Sequence, residues 1–308
     1  MGHDVLMGVG NAAFSTAFRP EMQDTWEHAM RAGRHEAAWA ISDHVLADRD
    51  PATRDQAGVP YHQRWVWDGG PVEGRHVLVR CYHGLGDTLQ YARFLPALRA
   101  RAASVTVEAQ PELLPLVASL ASAVAFDPAR PLASPGCDLE IMELSHALRL
   151  KPADVPASYL PLPPAGTPRD AIALCWQSGG WDPERSIPLD LLRAALPSGR
   201  LLSLQRGPAA AEASDGFLNP YDNSADIIRT VALIAAARRG VTVDSMVVHL
   251  AGALGRPVLL LLKHEADWRW GDTGRTAWYP SARLLRQHRH GDWTAPLAEL
   301  AAMLRQAG

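Results

Sequence analysis

Residues 79–98 read VRCYHGLGDTLQYARFLPAL, and this stretch indicates the fold class. The short apolar run at residues 76–81 predicts a buried strand, and a helical pattern begins at Asp87. Between them, Gly84 and Gly86 allow the backbone to approach a ligand closely. A strand, a glycine turn and a helix in this order present N–H groups and polar side chains at the carboxyl edge of a sheet. Asp87 is then either a functional carboxylate or only a helix cap.

Bulk composition limits the class of protein. A chain of 308 residues with 47% hydrophobic residues can fill the cores of two domains. The net charge of −3 gives no electrostatic reason to expect nucleic-acid binding. Cys81, Cys137 and Cys175 lack zinc-ligand spacing and predict buried free thiols, which suit a reducing compartment. Because the N-terminus shows no secretion signal, we expect a soluble cytoplasmic protein.

The longest apolar stretch, residues 246–262, is interrupted by His249, Arg256 and Pro257. It predicts a helix, a turn and a strand, and not a membrane span. The cluster formed by Arg283, Arg286 and Arg289 is interpreted as a solvated face.

The first 60 residues are predicted to form a helical N-terminal extension. Residues 30–51, MRAGRHEAAWAISDHVLADRDP, are typical of half a tetratricopeptide repeat or, equally, of a plain helical hairpin. A single repeat cannot bury its own apolar face, so it has to pack on the next domain or on a partner. A linker rich in Trp, Gly and Pro follows at residues 58–74 and contains Trp65 and Trp67.

Strand and helix patterns alternate through the rest of the chain, which predicts mainly parallel sheets with helices on their faces. The predicted helix at residues 87–101 carries Pro96, which should kink or shorten it. The proline-rich residues 150–170 mark a domain boundary. The predicted organisation is α/β, with Rossmann-like domains at residues 61–160 and 161–308 and a ligand cleft between them.

Polar loops follow predicted strands of the second domain. The Gln177–Ser178–Gly179 loop with nearby Arg185 could hold phosphate oxygens, or it is a solvent loop with an arginine on its rim. Gln205 could recognise the edge of a base, or it belongs to an ordinary turn. A further loop contains Asp215, Asp222 and Asp226.

The most informative loop comes where a strand changes to a helix at Asp244 and Ser245. Ser245 and the unsatisfied N–H groups of the helix would form an anion site, and Asp244 could bind sugar hydroxyls. The alternative for Asp244 is a helix N-cap. His249 should not share a helix face with Asp244, and on its own it is more typical of a core histidine.

Several separate motifs together resemble bacterial tetratricopeptide-associated glycosyltransferases, which are similar to the heptosyltransferase-like GT-B group. The resemblance spans about residues 28–306. In chain order the motifs are GLGDTLQYARFLP (84–96), VEAQPEL (107–113), RSIPL (185–189), SLQRGP (203–208), VDSMVVHLAGALGRPV (243–258), DWRW (267–270), WYPSARLLRQ (278–287) and GDW (291–293).

This resemblance implies two facing Rossmann-like domains, with the acceptor held by the first and a nucleotide-sugar donor by the second. It implies neither a catalytic metal nor a cofactor. Asp87 matches the aspartate proposed as general base in heptosyltransferases, and Arg185 stands near their diphosphate-binding basic residue. The remaining implied positions are Asp244 and Ser245 as the donor-binding pair, Met246 where a small residue is usual, His249 as the following histidine, and Gly84, Leu85 and Gly86 on the acceptor side.

The sequence therefore favours a glycosyltransferase that moves a sugar from a nucleotide-diphosphate donor to a hydroxyl of a glycan, lipid or protein. Asp87 is the first candidate for the base. His83 is the second, because imidazole has the better intrinsic pKa whereas a helix N-terminus weakens a carboxylate base. The alternative is a non-catalytic GT-B-like module that binds a nucleotide or a protein. Nucleic acid is not an expected partner, and peripheral attachment to an inner membrane face and homo-oligomer formation are left open.

Overall fold

The computed structural model describes residues 20–53, 67, 69–81, 83–127, 129–163, 170–213, 216–218 and 226–306. The chain divides into two compact units, Met1–Pro156 (unit 1) and Ala157–Gly308 (unit 2). Trp65, Asp215 and Asp222 lie outside the described residues. Within the described part, no helix is long and apolar enough to cross a membrane.

Unit 1 contains a parallel sheet in which the strand order is β3-β2-β1-β4. The order reverses between β1 and β4, so the loops after these two strands leave the sheet at a topological switch point, where α/β proteins place ligands. The strand predicted at residues 76–81 is confirmed. The strands of this sheet are His76–Arg80 (β1), Ser104–Ala109 (β2), Ser122–Ala125 (β3) and Asp138–Glu140 (β4).

The helices of unit 1 are shorter than predicted. The expected helix at residues 87–101 is broken by a 3-10 turn, Ala92–Phe94, which ends one residue before the Leu95–Pro96 start of the next helix. Proline fits the first turn of a new helix but not a helix interior, so the chain restarts at Leu95. The unit 1 helices after the extension are Leu85–Tyr91 (α3), Leu95–Arg99 (α4), Leu114–Val117 (α5) and Leu144–Leu148 (α6).

A buried charge network crosses the unit 1 sheet at Arg80, which is 4% exposed. Arg80 Nη1 donates to Glu108 Oε2 and Arg80 Nε donates to Asp138 Oδ2, both at 2.9 Å. Arg80 Nη2 donates to the Leu132 carbonyl, and Ser134 Oγ donates to Asp138 Oδ1. A run interpreted from sequence as simply apolar therefore carries an arginine whose charge is compensated by two neighbouring strands.

The N-terminal extension forms a helical hairpin from Pro20–Arg31 (α1) and His35–Ala47 (α2), joined through Gly33 at φ +70°. Trp26 Nε1 donates to Ser42 Oγ across the hairpin. The hairpin packs on the next part of unit 1, which is one of the two outcomes expected for a lone repeat. Its contacts are Asp43 with His146 and Arg149, Glu36 with Lys151, and Arg49 with Glu143. A tetratricopeptide origin stays a prediction.

Unit 2 contains a parallel sheet in which the strand order is β6-β5-β7-β8-β9. Its order reverses between β5 and β7, which gives this unit its own switch point. The strands are Ile172–Cys175 (β5), Leu201–Ser203 (β6), Arg239–Val243 (β7), Val258–Leu262 (β8) and Ala282–Arg286 (β9). The helices are Leu189–Ala194 (α7), Ile227–Ala236 (α8), Met246–Ala253 (α9) and Thr294–Gln306 (α10).

Strand β9 was not predicted, because its arginines, Arg283 and Arg286, were interpreted as part of a solvated face. In the structure β9 pairs with β8 over its whole length, and Ala282, Leu284 and Leu285 are buried. The apolar stretch at residues 246–262 forms α9, a turn and β8, as predicted. All three cysteines are buried and free, which confirms that expectation.

Candidate active site

The carboxyl edge of the unit 2 sheet brings together the predicted donor-binding loops. The loop after β5 carries Gln177, Ser178 and Arg185, and the loop after β7 carries Asp244 and Ser245. Since β5 and β7 are adjacent and parallel, both loops leave the same edge at the switch point. The structure thus places side by side residues that are about 60 positions apart in sequence.

Arg185 joins these two loops directly. Its Nη1 donates to the Asp244 carbonyl at 3.2 Å, and its guanidinium lies 4.1 Å from the centre of the Trp181 ring. Its Nε is buried and has no hydrogen-bond partner among the described residues, and the nearest acid, Asp182 Oδ2, is 3.7 Å away. The interpretation of Arg185 as a rim arginine is therefore wrong, because its side chain is largely buried at the switch point. Its Nε–H can still donate a hydrogen bond to a ligand.

Ser245 is the N-cap of α9, where its Oγ accepts from Val247 N at 3.3 Å. The alternative that Asp244 is the cap is therefore wrong. Arg206, which the sequence analysis did not select, reaches the same helix start, with Nη1 3.8 Å from Met246 Sδ. The first turn of α9 thus has two arginines beside it, an arrangement that favours an anion bound at the helix N-terminus.

Gln205 holds the loop after β5 through hydrogen bonds to its main chain. Its Oε1 accepts from Trp176 N and Gln177 N, at 3.0 and 2.9 Å, and its Nε2 donates to the carbonyls of Gln177 and Arg206. Because both hydrogens of the amide are engaged by the main chain, Gln205 holds the loop in shape. These contacts give Gln205 a structural role, and its recognition of a base edge stays a prediction.

Asp244 is almost completely buried, and its Oδ2 accepts from Trp270 Nε1 at 2.8 Å. Burial raises the pKa of the Asp244 carboxyl above its usual range, against the opposing effect of Arg185. Trp270 belongs to the DWRW motif, so two motifs that are separate in sequence meet at one hydrogen bond.

His249 packs behind this pair and is 4% exposed. Its ring lies 5.5 Å from that of Trp270, and its Nδ1 makes a 3.0 Å hydrogen bond with Tyr279 OH. Its placement is that of a core histidine, and its contact with a nucleotide sugar stays a prediction. His249 supports Asp244 indirectly, through Trp270.

The predicted acceptor residues lie at the switch point of unit 1, in the turn between β1 and α3. The N-cap of α3 is Gly84, and Asp87 at the third helical position accepts the Gly84 N–H on its Oδ2 at 3.0 Å. Leu85 and Gly86 form the first residues of the helix. Asp87 therefore does cap its helix, through a capping-box interaction that also fixes the direction of its carboxylate.

Gln110, at the end of β2, holds this turn. Its Nε2 donates to the His83 carbonyl at 2.8 Å and its Oε1 accepts from Thr88 Oγ1 at 3.0 Å. Gln205 has the same relation to unit 2, since each glutamine follows the second strand of its unit and holds the loop after the first. The two units thus shape their ligand edges by the same device.

Glu140, the last residue of β4, is a functional candidate that the sequence analysis missed. It is 5% exposed, and its Oε1 lies 3.8 Å from His83 Nε2. Burial, assisted by the nearby Glu143 and Asp87 carboxylates, raises the pKa of Glu140 well above its usual range. A buried carboxyl of this kind beside a histidine is common at functional sites.

Comparison with solved structures shows that the fold resembles that of a heptosyltransferase and of a glycosyl transferase family 9 protein. The chain matches Escherichia coli ADP-heptose LPS heptosyltransferase II with a TM-score of 0.55 and 16% identity, over 75% of this chain and 99% of that one. It matches the glycosyl transferase family 9 protein of Veillonella parvula DSM 2008 with a TM-score of 0.53 and 12% identity, over 77% and 98% of the two chains. At these identities the likeness concerns the fold.

Among curated proteins, the chain is 32% identical over 84 residues to protein FlbA of Caulobacter vibrioides strain CB 15. This match covers 27% of the chain and only 14% of the length of FlbA. No protein-family profile matches the sequence. Within the described residues, no group of three or more His, Cys, Asp or Glu side chains is arranged to hold a metal ion.

Proposed function

We propose that the protein is a glycosyltransferase that moves a sugar from a nucleotide-diphosphate donor to a hydroxyl acceptor. The observation that carries this proposal is the junction of Arg185 with Asp244 at the first turn of α9. The junction combines helix N–H groups, a capping serine and a guanidinium. The Nε–H of that guanidinium is buried and has no hydrogen-bond partner among the described residues. These are the groups that bind a diphosphate.

The donor is proposed to bind with its diphosphate at Ser245 and Arg185, close to the Gln177–Ser178–Gly179 loop. As the bond between sugar and phosphate breaks, negative charge develops on the leaving diphosphate, and Arg185 and the α9 N–H groups would stabilise it. Asp244, fixed by Trp270, is proposed to bind hydroxyls of the donor. The E. coli structural relative is named for ADP-heptose, so a nucleoside diphosphate sugar is the donor class to test first.

The acceptor is proposed to bind at the unit 1 turn that contains Asp87. Its hydroxyl has to lose a proton as the new bond forms, so a base within hydrogen-bond reach is required. Asp87 is the proposed base, because the capping interaction holds its carboxylate in one orientation at the switch point. Metal-independent transfer and a location in the cytoplasm are part of the same proposal.

Replacing Asp87 by Asn is expected to lower the rate of sugar release from the donor by about 10²- to 10⁴-fold, the usual contribution of a general base. The amide can still accept the Gly84 N–H, so unit 1 should unfold at nearly the wild-type temperature. The control is Asp127→Asn, which changes an exposed carboxylate of the same unit. Activity of D87N within a few-fold of wild type would show that Asp87 is not the base.

Replacing Arg185 by Ala is expected to weaken binding of the diphosphate by at least about tenfold, because a charge-assisted hydrogen bond contributes roughly 1.5–3 kcal/mol. Calorimetric titration with UDP-, GDP-, ADP- and CMP-sugars would measure this loss. Arg200→Ala is the control, since Arg200 is a half-exposed arginine of unit 2 paired with Asp170. Equal affinity of R185A and R200A for the best nucleotide sugar would contradict the proposed donor site.

The second candidate function is a non-catalytic nucleotide- or protein-binding module. The capping interaction of Asp87 and the packing of His249 favour it, because both residues also have structural roles. The same titration separates the two functions. Binding accompanied by slow donor hydrolysis supports the enzyme, binding without hydrolysis supports a nucleotide-binding module, and no binding supports a protein-binding scaffold.

A further inference from the structure

Glu140 presents a buried oxygen toward His83. Its Oε2 accepts from Met142 N at 2.7 Å, whereas its Oε1 is buried with no hydrogen-bond partner among the described residues. That oxygen lies 3.8 Å from His83 Nε2. A buried polar atom without a partner is costly, so such an atom in a folded protein calls for an explanation.

His83 lies between this carboxyl and the outer part of the turn. Its side chain is 15% exposed, its carbonyl is held by Gln110, and it is four residues before Asp87. The ring can therefore contact Glu140 on its inner side while it remains accessible to a small molecule bound at the turn. A histidine with a carboxyl behind it has its ring orientation and tautomer fixed by that carboxyl.

The surroundings of Glu140 are acidic. Glu143 accepts the Glu140 N–H on its Oε2 at 3.1 Å, and the Glu143 Oε1 is held at 2.9 Å by Arg49 of the helical extension. Arg80, opposite Glu140 in the β1–β4 register, is committed to two other carboxylates. The titratable or charged groups around Glu140 are thus His83, Asp87, Glu143, Cys81, Arg80 and, through Glu143, Arg49.

We propose that Glu140 is a positioning residue that fixes the ring of His83, and that His83 in turn orients the acceptor hydroxyl beside Asp87. This inference rests on the proposed function, in which Asp87 is the base. It assigns separate roles to the two side chains of the turn: Asp87 takes the proton, and His83 holds the oxygen that loses it. It also predicts that the acceptor offers a hydroxyl that can both donate to Asp87 and hydrogen-bond to an imidazole.

A direct test follows the His83 imidazole by NMR, with ¹³C-labelled histidine in the full chain, as the pH is varied. If Glu140 and His83 interact, wild-type His83 shows two titration steps, because coupled groups titrate as a pair. Glu140→Gln keeps the shape of the side chain but removes its charge, so one step should remain. A single step at the same pH in wild type and E140Q would overturn the proposal, whatever the catalytic activity.

The kinetic test measures nucleoside diphosphate release from the best-binding nucleotide sugar, with water as the acceptor. E140Q is expected to lower this rate by about 10- to 100-fold, the cost of a misplaced reacting group, with donor affinity within twofold of wild type. His83→Asn should produce the same loss, and the double variant should be no slower than either single variant, since both act through one ring. Additive losses would instead indicate separate roles and contradict the proposal.

Glu112→Gln, in an exposed turn of unit 1, is the control for both measurements and should leave them unchanged. If E140Q does not fold, the proposal is still tested by the wild-type titration and by the rate of H83N. A one-step titration of wild-type His83, or an H83N rate equal to that of wild type, would overturn it. The outcome also separates the two proposals. Two-step titration without any donor hydrolysis would contradict the proposed function, whereas hydrolysis with one-step titration would contradict only the role of Glu140.

Discussion

Replacing Gly252 by Ala is expected to destabilise unit 2 by more than about 3 kcal/mol, the upper part of the range for overpacked cores. A Cβ at this position would lie 2.0 Å from Tyr279 Cδ1 and 2.4 Å from Cγ. Tyr279 is fully buried, so its ring cannot turn away into solvent. Either the ring or helix α9 has to move.

The displacement should also disturb the carboxyl edge of the unit 2 sheet, where the nucleotide sugar is proposed to bind. Tyr279 hydrogen-bonds His249, and His249 packs on Trp270. Because Trp270 donates to Asp244, a movement of Tyr279 should also shift Asp244 at the start of α9. Thermal unfolding of the full chain measures the effect, with an expected fall of the unit 2 transition by roughly 6–12 °C, at 2–4 °C per kcal/mol.

The matched control for G252A is Gly199→Ala, because a Cβ at Gly199 would meet nothing within 4 Å. Its transition temperature should stay close to wild type. If G252A and G199A unfolded at the same temperature, the close packing of α9 against Tyr279 would be contradicted.

Replacing Arg80 by Met is expected to destabilise unit 1 by about 3–5 kcal/mol, the cost of removing one partner of a buried ion pair. Methionine fills much of the same space, so the loss comes mainly from Glu108 and Asp138, which would remain buried without their cation. The loop that contains Leu132 and Ser134 should loosen as well, because it is hydrogen-bonded to the same network.

Chemical denaturation of the full chain, followed by hydrogen exchange at β1, β2 and β4, measures this effect in unit 1. Arg130→Met is the control, since Arg130 is exposed and its pair with Asp127 lies on the surface. Its effect should be below about 1 kcal/mol. Comparable losses for R80M and R130M would show that the buried network contributes little to stability.

The regular parts of the fold could be predicted from sequence because local patterns determine them. The apolar run before the HGLGD turn, the alternation of strands and helices and the proline-rich boundary each depend on neighbouring residues. Strand β9 was missed because ARLLR has arginines at its ends, and only pairing with β8 buries the residues between them. The break before Pro96 was predicted as a kink, but its 3-10 geometry depends on how the segment packs.

The sequence selected several residues that the structure brings to one sheet edge, but it did not reveal the contacts between them. Asp244, Ser245 and Arg185 were selected from motifs, and the parallel sheet brings them to one edge. Trp270 as the partner of Asp244, and Gln205 as the residue that holds the loop, depend on contacts over 26 to 29 residues. Sequence periodicity carries no information about such contacts.

Glu140 and Arg80 were missed for a related reason. Each lies at the end of a short strand, where a charged residue is usually solvated, and burial results only from the neighbouring strands and loops. The sequence signal that could have found Arg80 is Glu108, its register partner on β2, together with Asp138, which lies two residues before its register partner Glu140 on β4. For Glu140, a signal was the capping-type spacing to Glu143, which marks a turn at a strand end.

The central claim is that a nucleoside diphosphate binds at the first turn of α9. The most direct measurement is a crystal structure of the full chain with whichever of ADP, UDP, GDP or CDP binds most tightly in the calorimetric titration. Diphosphate oxygens are expected within hydrogen-bond distance of Arg185 and of the N–H groups that follow Ser245. A nucleotide bound on unit 1, or on unit 2 with its phosphates away from Arg185 and α9, would contradict it.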